Sequence, residues 1–256
     1  KLTLEPLPGF KIQVNGKRYA AESSSIIYSY DQLQENMTGS FNITQVAIGT
    51  AFHKVGNADQ NFASETFSNF LNYRDVMTHR VQQQYADVRY PNAGFIPLEL
   101  RGKTYDSKYG AVANNTADVL IPAFLAAYTG KDAAKSSLNL FPSILSMMPN
   151  WSVTYSGLNQ IPFFQKYFKS FNLKHSYKSV YSMGSYNTFM SYMEYMNDLG
   201  FINDITTGSP IPNSMFNIGS VSINESFAPL VGVDMTFNNS LSARLECRKT
   251  RVINLS

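Results

Sequence analysis

The chain has 256 residues and a formal net charge of +3, from 21 Lys and Arg against 18 Asp and Glu, a balance too weak to favour nucleic acid as a partner. Charged residues make up only 15 % of the chain and aromatic residues 14 %, which favours β-structure or a membrane interface. The length allows a sizeable core and argues against disorder, and the single cysteine, Cys247, excludes a disulfide framework within the chain.

The first part of the chain, residues 1–60, is predicted to form β-strands. Residues 37–52 are rich in Thr, Val, Ile and Phe, which is typical of a long strand. The period then changes, because apolar residues recur at steps of three and four between about residues 61 and 86. This pattern predicts a helix with one apolar face. Residues 87–114 contain several Pro and Gly, so we expect a loop or a broken strand pair there.

A second helix is predicted over residues 115–130. Asn115 or Thr116 can cap its start, and Asp118 is favourable in its first turn because the helix dipole is positive there. Gly130 is a natural residue just past the helix end, where the backbone turns left-handed. Both ends of this helix are therefore marked in the sequence.

Residues 61–148 thus form a predicted insert with two helices, and residues 149–256 are predicted to be β-strands again. Segment 163–169 is amphipathic over one or two helical turns. Alternation of apolar and polar side chains predicts long strands over residues 171–183, 230–237 and 241–255, the last two joined by a turn. The last strand pattern has no closing turn and the first residues show no targeting signal, so we expect a piece of a longer polypeptide.

A mainly β fold with such strands fits two architectures. In the first, the strands are part of an outer-membrane barrel wall with one apolar face. In the second, they form a soluble antiparallel sheet whose apolar face packs on the two helices. Long strands and aromatic residues near strand ends favour the barrel. The longest apolar run, residues 119–128, is about half as long as a membrane-spanning helix, so helical insertion is excluded.

The sequence offers no catalytic, cofactor-binding or metal site. None of the three histidines has the spacing of a metal-ligand pair: His53, His79 and His175. His175 lies on an aromatic strand face and is interpreted as a packed residue. Glu194 and Asp198 stand four residues apart, but they lie where a strand pattern runs into a loop and are not interpreted as a catalytic pair. We therefore predict that the protein is not an enzyme.

Three basic residues, Arg248, Lys249 and Arg251, cluster at the end of the last predicted strand. We interpret them as a solvated rim, and the alternative is contact with anionic lipid headgroups. Both interpretations place all three side chains at the surface.

Several longer segments occur in the same order in one known family. They are residues 118–132, 149–158, 175–181, 225–234 and 248–251, followed by Leu255 and Ser256. The first reads DVLIPAFLAAYTGKD and the second PNWSVTYSGL. Together they resemble the SprA/Sov family, the cell-surface gliding-motility and secretion proteins of Bacteroidetes, over residues 37–256.

This resemblance implies that the chain is a C-terminal-side section of the outer-membrane translocon of the type IX secretion system. Such a translocon is a very large single-chain antiparallel β-barrel, exposed at the cell surface, that exports folded cargo and supports gliding motility. The implied partners are the remainder of the same barrel, outer-membrane lipid, a smaller PorV-like barrel, a periplasmic plug protein and secreted cargo with C-terminal secretion domains. No catalytic residue or cofactor is implied.

Two physical expectations follow from a barrel wall. The terminal strands need partners from elsewhere in the protein, and the polar strand faces line a water-filled lumen. Because helices cannot belong to the wall, residues 61–148 are expected to form a cap or a luminal element. The competing function is a soluble extracellular β-rich module that binds glycans or proteins through its aromatic faces.

Overall fold

The computed structural model describes residues 1–29, 32–54, 64–196 and 199–256, and the fold is mainly β with antiparallel sheets. Within these ranges the α-helices are α1 (Glu65–Gln84), α2 (Ala117–Thr129) and α3 (Pro162–Tyr167). Its strands are β1 (Leu2–Leu7), β2 (Phe10–Asn15), β3 (Arg18–Ser29), β4 (Gln32–Thr44), β5 (Asn150–Tyr155), β6 (Phe168–Thr188), β7 (Met193–Met196), β8 (Leu199–Asn203), β9 (Pro210–Asn213), β10 (Phe216–Ile218), β11 (Val221–Phe237) and β12 (Ser242–Leu255).

The long sheet is built around β6, which has 21 residues. Along its path the strand order is β1, β2, β5, β6, β11 and β12, and every pairing is antiparallel. On one side of β6, β5 pairs with the first half of the strand and β4 with the second half. Where the partner changes, the Asn150 side chain accepts a hydrogen bond from the Ser179 N–H at 2.7 Å. The buried backbone donor is therefore satisfied.

The chain leaves the long sheet after β4 and returns at β5, and the residues between them contain α1 and α2. Both helices pack against one face of the sheet, over the second half of β6 and the adjoining parts of β4 and β11. The fully buried sheet residues in this core include Phe41, Ile43, Tyr181, Met183 and Ile223. We call the described residues between β4 and β5, with α1 and α2, the helical segment. It covers one half of one sheet face, which we call the covered half.

The two predicted helices are confirmed. α1 buries Phe70, Met77 and Val81, which lie on the apolar face that the sequence periodicity predicted. α2 begins after Thr116 and ends before Gly130, whose φ of 73° is the left-handed conformation that favours glycine. The Thr116 hydroxyl donates to the Ala113 carbonyl oxygen instead of capping the helix.

Two predicted boundaries differ from the structure. The strand predicted over residues 37–52 ends at Thr44, and residues 48–50 form a 3-10 turn. The strand pattern that the sequence shows up to Glu194 is broken, because β6 ends at Thr188. Its continuation belongs to a separate three-stranded sheet of β7, β8 and β9. The 3-10 turn contacts Arg251, and the small sheet packs on Tyr85. Local periodicity carries no information about such distant partners.

The small sheet packs against the helical segment through aromatic rings. Phe201 on β8 is fully buried, and its ring centroid lies 5.6 Å from that of Tyr85, 5.0 Å from that of Tyr90 and 5.7 Å from that of Tyr105. The Tyr85 hydroxyl donates to the Gly200 carbonyl oxygen at 3.0 Å. The small sheet of β7, β8 and β9 therefore belongs to the helical side of the molecule and extends it beyond the predicted insert of 61–148.

Candidate functional site

The other half of the same sheet face is covered by neither α1 nor α2. Directly paired residues in an antiparallel sheet point to the same side, so the register defines which side chains share a face. One row of paired residues crosses six strands and is apolar throughout: Leu7, Phe10, Tyr155, Leu173, Val233 and Leu245. Its members are half-buried or exposed, and Leu245 is 63 % exposed. We call this surface the apolar band.

Aromatic rings border the apolar band at both ends. The lower aromatic cluster lies where β6 begins and β11 ends, and it contains Phe163, Phe164, Tyr167, Phe168, Phe171 and Phe237. The upper aromatic cluster lies next to the covered half, and it contains Phe52, Trp151, Tyr177 and Phe227. Trp151 and Tyr177 stack with their centroids 4.4 Å apart.

The separation of the two clusters is set by strand geometry. From Phe168 to Tyr177 the chain advances nine residues along β6, which corresponds to about 30 Å along the strand. Strands in membrane barrels tilt by about 35–45°, so this length corresponds to a height of about 23 Å. The apolar bands of such barrels are about 25 Å tall and have aromatic residues at both edges.

The opposite face of the same strands is polar, and we call it the polar face. Charges there form a ladder across three strands. Asp234 pairs with Lys174 on β6 and with Arg244 on β12, whose Nε lies 2.6 Å from the Asp234 Oδ1. Glu246, also on β12, pairs with Arg248. The Arg244 and Arg248 side chains are exposed, so water beside this face lowers the free energy of their charges.

A buried ion pair lies at the border between the covered half and the apolar band. Glu225 on β11 is 2 % exposed, and its Oε2 accepts from the Arg251 Nε at 2.9 Å. Its Oε1 accepts from the Tyr177 hydroxyl at 2.6 Å. Arg251 also donates to the Thr50 and Ala47 carbonyl oxygens at 2.8 and 3.0 Å. The pair therefore connects the sheet to the 3-10 turn that begins the helical segment.

The interpretation of the basic cluster as a solvated rim is wrong for Arg251. Strand alternation separates the three residues, because Arg248 lies on the polar face whereas Lys249 and Arg251 lie on the face that carries the helices. The Lys249 Nζ lies 4.4 Å from the centroid of the Phe52 ring. The sequence does hold a signal for the buried pair, since Glu225 occupies an apolar position between Ile223 and Phe227 on the alternating strand.

The other residues weighed in the sequence do not come together. His53 contacts Thr66 near the start of α1 at 3.1 Å, and His79 is exposed on α1. His175 is packed as interpreted, with its Nδ1 2.7 Å from the Leu230 carbonyl oxygen. Glu194 lies on β7, and Asp198 lies outside the described residues.

Asp118 is placed in the first turn of α2, as the sequence indicated, but it faces the interior. It lines a cavity of about 450 Å³ between α1, α2 and residues 214–216, together with Tyr85. Burial raises the pKa of the Asp118 carboxyl from 3.8 to about 7, and a hydrogen bond from the Ser214 backbone acts in the opposite direction. Sequence patterns do not predict this burial, because the residues that cause it come from a distant segment.

The raised pKa of Asp118 predicts that the helical segment loses stability as the pH rises. Between about pH 4 and pH 7 the folded state holds a proton that the unfolded chain releases, and the free energy of unfolding falls by up to about 1.4 kcal/mol per pH unit. Amide hydrogen exchange of α2, corrected for intrinsic rates, measures this dependence. Asp118→Asn should remove it, and an unchanged pH dependence in that variant would contradict the assignment.

No protein-family model matches the chain, and no curated protein is similar to it at a significant level. Among the described residues, none of the helices has the length and apolar character needed to cross a membrane. The two-faced sheet is therefore the feature on which a functional argument rests.

Proposed function

We propose that this chain forms a section of the wall of the outer-membrane translocon of the type IX secretion system, the barrel that exports folded cargo and supports gliding motility. The apolar band faces lipid and the polar face lines the water-filled lumen. The observation that carries the proposal is the apolar row across six strands with a charge ladder on the opposite face. The aromatic clusters at about the separation of two membrane interfaces add support.

The edges of the sheet indicate where the rest of the wall attaches. β1 and β12 stand at opposite ends of the six-strand path. Each is paired on one side only within the described part of the chain, and β12 leaves an open edge of 14 residues. Long open edges favour pairing with further strands. The remainder of the same large barrel is therefore the first partner that we propose.

The connections between strands support an orientation in the membrane. At the lower end, β1 is joined to β2 and β11 to β12 by short turns, and β5 to β6 by residues 156–167. The much longer helical segment leaves above the apolar band, where β4 ends opposite Val180 of β6. Outer-membrane barrels have short periplasmic turns and longer extracellular loops. We therefore place the helical segment at the cell surface. Cargo, a PorV-like barrel and a periplasmic plug protein remain partners implied by the family resemblance.

The position of α1 and α2 helps to decide whether the predicted insert is a cap or a luminal element. Both helices pack on the face that carries the apolar band, which is the lipid-facing side of the proposed wall. They would then stand outside the wall, above the bilayer, and leave the polar face open to the lumen. This arrangement favours a peripheral cap over a luminal element.

Envelope fractionation of the protein isolated from cells tests the proposal. We expect enrichment in the outer membrane, solubility only in detergent, and gel migration that changes on heating, as folded barrels show. Recovery of a monodisperse protein without detergent would contradict the barrel wall.

The native cysteine provides a second prediction. Cys247 is exposed and pairs with Val231 on the lipid-facing side, and the neighbouring Arg248 points to the polar face. In intact membranes, a membrane-impermeant maleimide should leave Cys247 unlabelled, because the reagent does not enter lipid. The cysteine of Arg248→Cys, in a Cys247→Ser background, should react with the maleimide when the reagent can enter the lumen. Mass spectrometry assigns the labelled site, and equal labelling of both positions would argue against a lipid-facing band.

One observation favours a soluble β-rich module that binds glycans or proteins. In the covered half, α1 and α2 already bury part of the same sheet face that carries the apolar band. A further segment could then bury the apolar band, and the exposed aromatic rings would form the binding platform. The detergent requirement and the Cys247 labelling pattern separate this module from the barrel wall.

A further inference from the structure

The connection between β5 and β6 forms an exposed aromatic surface at the lower end of the sheet. It contains α3, and three of its apolar side chains face solvent to a large extent: Ile161 at 42 %, Phe163 at 64 % and Tyr167 at 47 %. We call residues 156–169 the α3 segment. Exposed rings this close together indicate an interaction site, since a folded protein rarely exposes a large contiguous apolar patch to water.

The rings of the α3 segment continue the apolar band. The Phe164 centroid lies 5.0 Å from that of Phe171, on the band side of β6. Phe168, which follows α3 directly, lies 4.9 Å from Phe237 at the end of β11. The exposed patch and the band are therefore one continuous surface, and whatever contacts the band at its lower edge also contacts α3.

Side chains satisfy backbone hydrogen-bonding groups in and next to the α3 segment. The Asn238 side chain donates to the Gln165 and Lys166 carbonyl oxygens at 3.2 and 2.9 Å. These carbonyls lie at the end of α3, where helices leave acceptors without partners. The Asn159 side-chain oxygen accepts from the Phe171 N–H at 2.6 Å. Satisfied backbone groups lower the cost of moving such a segment out of water.

The charge of the α3 segment is positive. Residues 156–169 contain Lys166 and Lys169 and no acidic residue. The Lys166 Nζ lies 5.5 Å from the Tyr167 ring centroid, and both lysines are exposed. Aromatic rings with lysines beside them are suited to the boundary where acyl chains meet headgroups, because the rings accept apolar contact and the ammonium groups bind phosphate.

We infer that the α3 segment is a binding site for anionic phospholipid at the lower membrane interface. Its rings lie among the outer parts of the acyl chains, and Lys166 and Lys169 bind the phosphate groups. This inference rests on the proposed barrel wall and adds a specific lipid class and a specific anchor to it. A second copy of the chain or a soluble protein on the same patch would be a different result, and the experiment distinguishes both.

The test uses the complete protein, as isolated from cells, reconstituted into vesicles with an environment-sensitive fluorophore on one cysteine. The probe replaces Phe163 in the α3 segment, Leu245 in the apolar band or Lys11 on the polar face, each in a cysteine-free background. Lipids carry a nitroxide quencher either near the headgroup or near the end of the acyl chain. We expect the Phe163 probe to be quenched most by the shallow nitroxide, the Leu245 probe by the deep one and the Lys11 probe by neither.

The lipid class is tested with nitroxide-labelled phosphatidylglycerol and phosphatidylcholine in competition. The Phe163 probe should report a preference for phosphatidylglycerol that falls about fivefold for each lysine removed in Lys166→Gln and Lys169→Gln. A matched control is the pair Lys131→Gln and Lys135→Gln, which removes two exposed lysines from the helical segment and should leave the preference unchanged.

The outcomes separate the inference from the proposed function. If the Leu245 probe escapes both lipid quenchers, the barrel wall is wrong and the inference fails with it. If the Leu245 probe is quenched and the Phe163 probe is not, the wall stands and the anchor is wrong, as it would be if a second copy or another protein covered α3. If the Phe163 probe is quenched but shows no lysine-dependent preference for phosphatidylglycerol, the inference of an anionic-lipid site is wrong.

Discussion

Replacing Arg251 with alanine is expected to lower the free energy of unfolding by about 3–5 kcal/mol, as the breaking of buried ion pairs does. The reason is the fate of Glu225, whose side chain is only 1 % exposed. Without the guanidinium, a buried carboxylate has the Tyr177 hydroxyl as its remaining donor. The Thr50 and Ala47 carbonyl oxygens also lose a donor.

The loss should appear at one place in the molecule. Arg251 joins β12 to the 3-10 turn before α1, and the Thr50 hydroxyl in that turn donates to the Tyr128 carbonyl oxygen near the end of α2 at 2.6 Å. We therefore expect α1 and α2 to loosen from the sheet while the strands remain paired. Hydrogen exchange and limited proteolysis within residues 87–114 measure this loosening in the intact protein.

Two variants make the Arg251 prediction specific. Arg248→Ala removes an exposed arginine from the same strand, whose partner is Glu246 on the polar face, and should change stability by less than about 1 kcal/mol. Glu225→Leu combined with Arg251→Met removes both charges and should recover most of the loss, since no unpaired charge stays buried. Equal effects of Arg251→Ala and Arg248→Ala would contradict the buried pair.

The parts of the fold that sequence predicts best are those with local causes. α1 follows from an apolar face at helical spacing, and the end of α2 follows from Gly130, where the left-handed backbone suits glycine. The hairpin of β11 and β12 follows from alternation on both sides of a turn. In each case the residues that determine the structure are close together in the chain.

The parts that sequence misses have causes far away in the chain. Residues 45–52 have the composition of a strand, yet they leave the sheet. There the Ala47 N–H donates to the Tyr177 hydroxyl, and Arg251 donates to the Thr50 carbonyl oxygen. Arg251 contacts a turn about two hundred residues earlier in the chain. Alternation identified two faces, but only the register shows that the helices and the apolar band share one of them.

On the proposed barrel wall, replacing Leu245 with arginine is expected to lower the free energy of unfolding from the membrane by about 2–4 kcal/mol, the effect of a cation near the middle of a lipid-facing barrel surface. Leu245 pairs with Val233 in the apolar row and is 63 % exposed. In water, a substitution at so exposed a position changes stability by less than about 0.5 kcal/mol. The size of the loss therefore shows whether lipid or water contacts this face.

The matched control is Asn172→Arg on β6, two strands away from Leu245 and on the polar face. Asn172 pairs with Asp234, so an arginine there meets water and a carboxylate at a height close to that of Leu245. Reversible folding into vesicles, followed by gel migration, gives both free energies. A large loss for Leu245→Arg with little change for Asn172→Arg supports a wall with lipid on one side and water on the other. Two small effects would place water on both faces, and the apolar band would then need a protein partner to cover it.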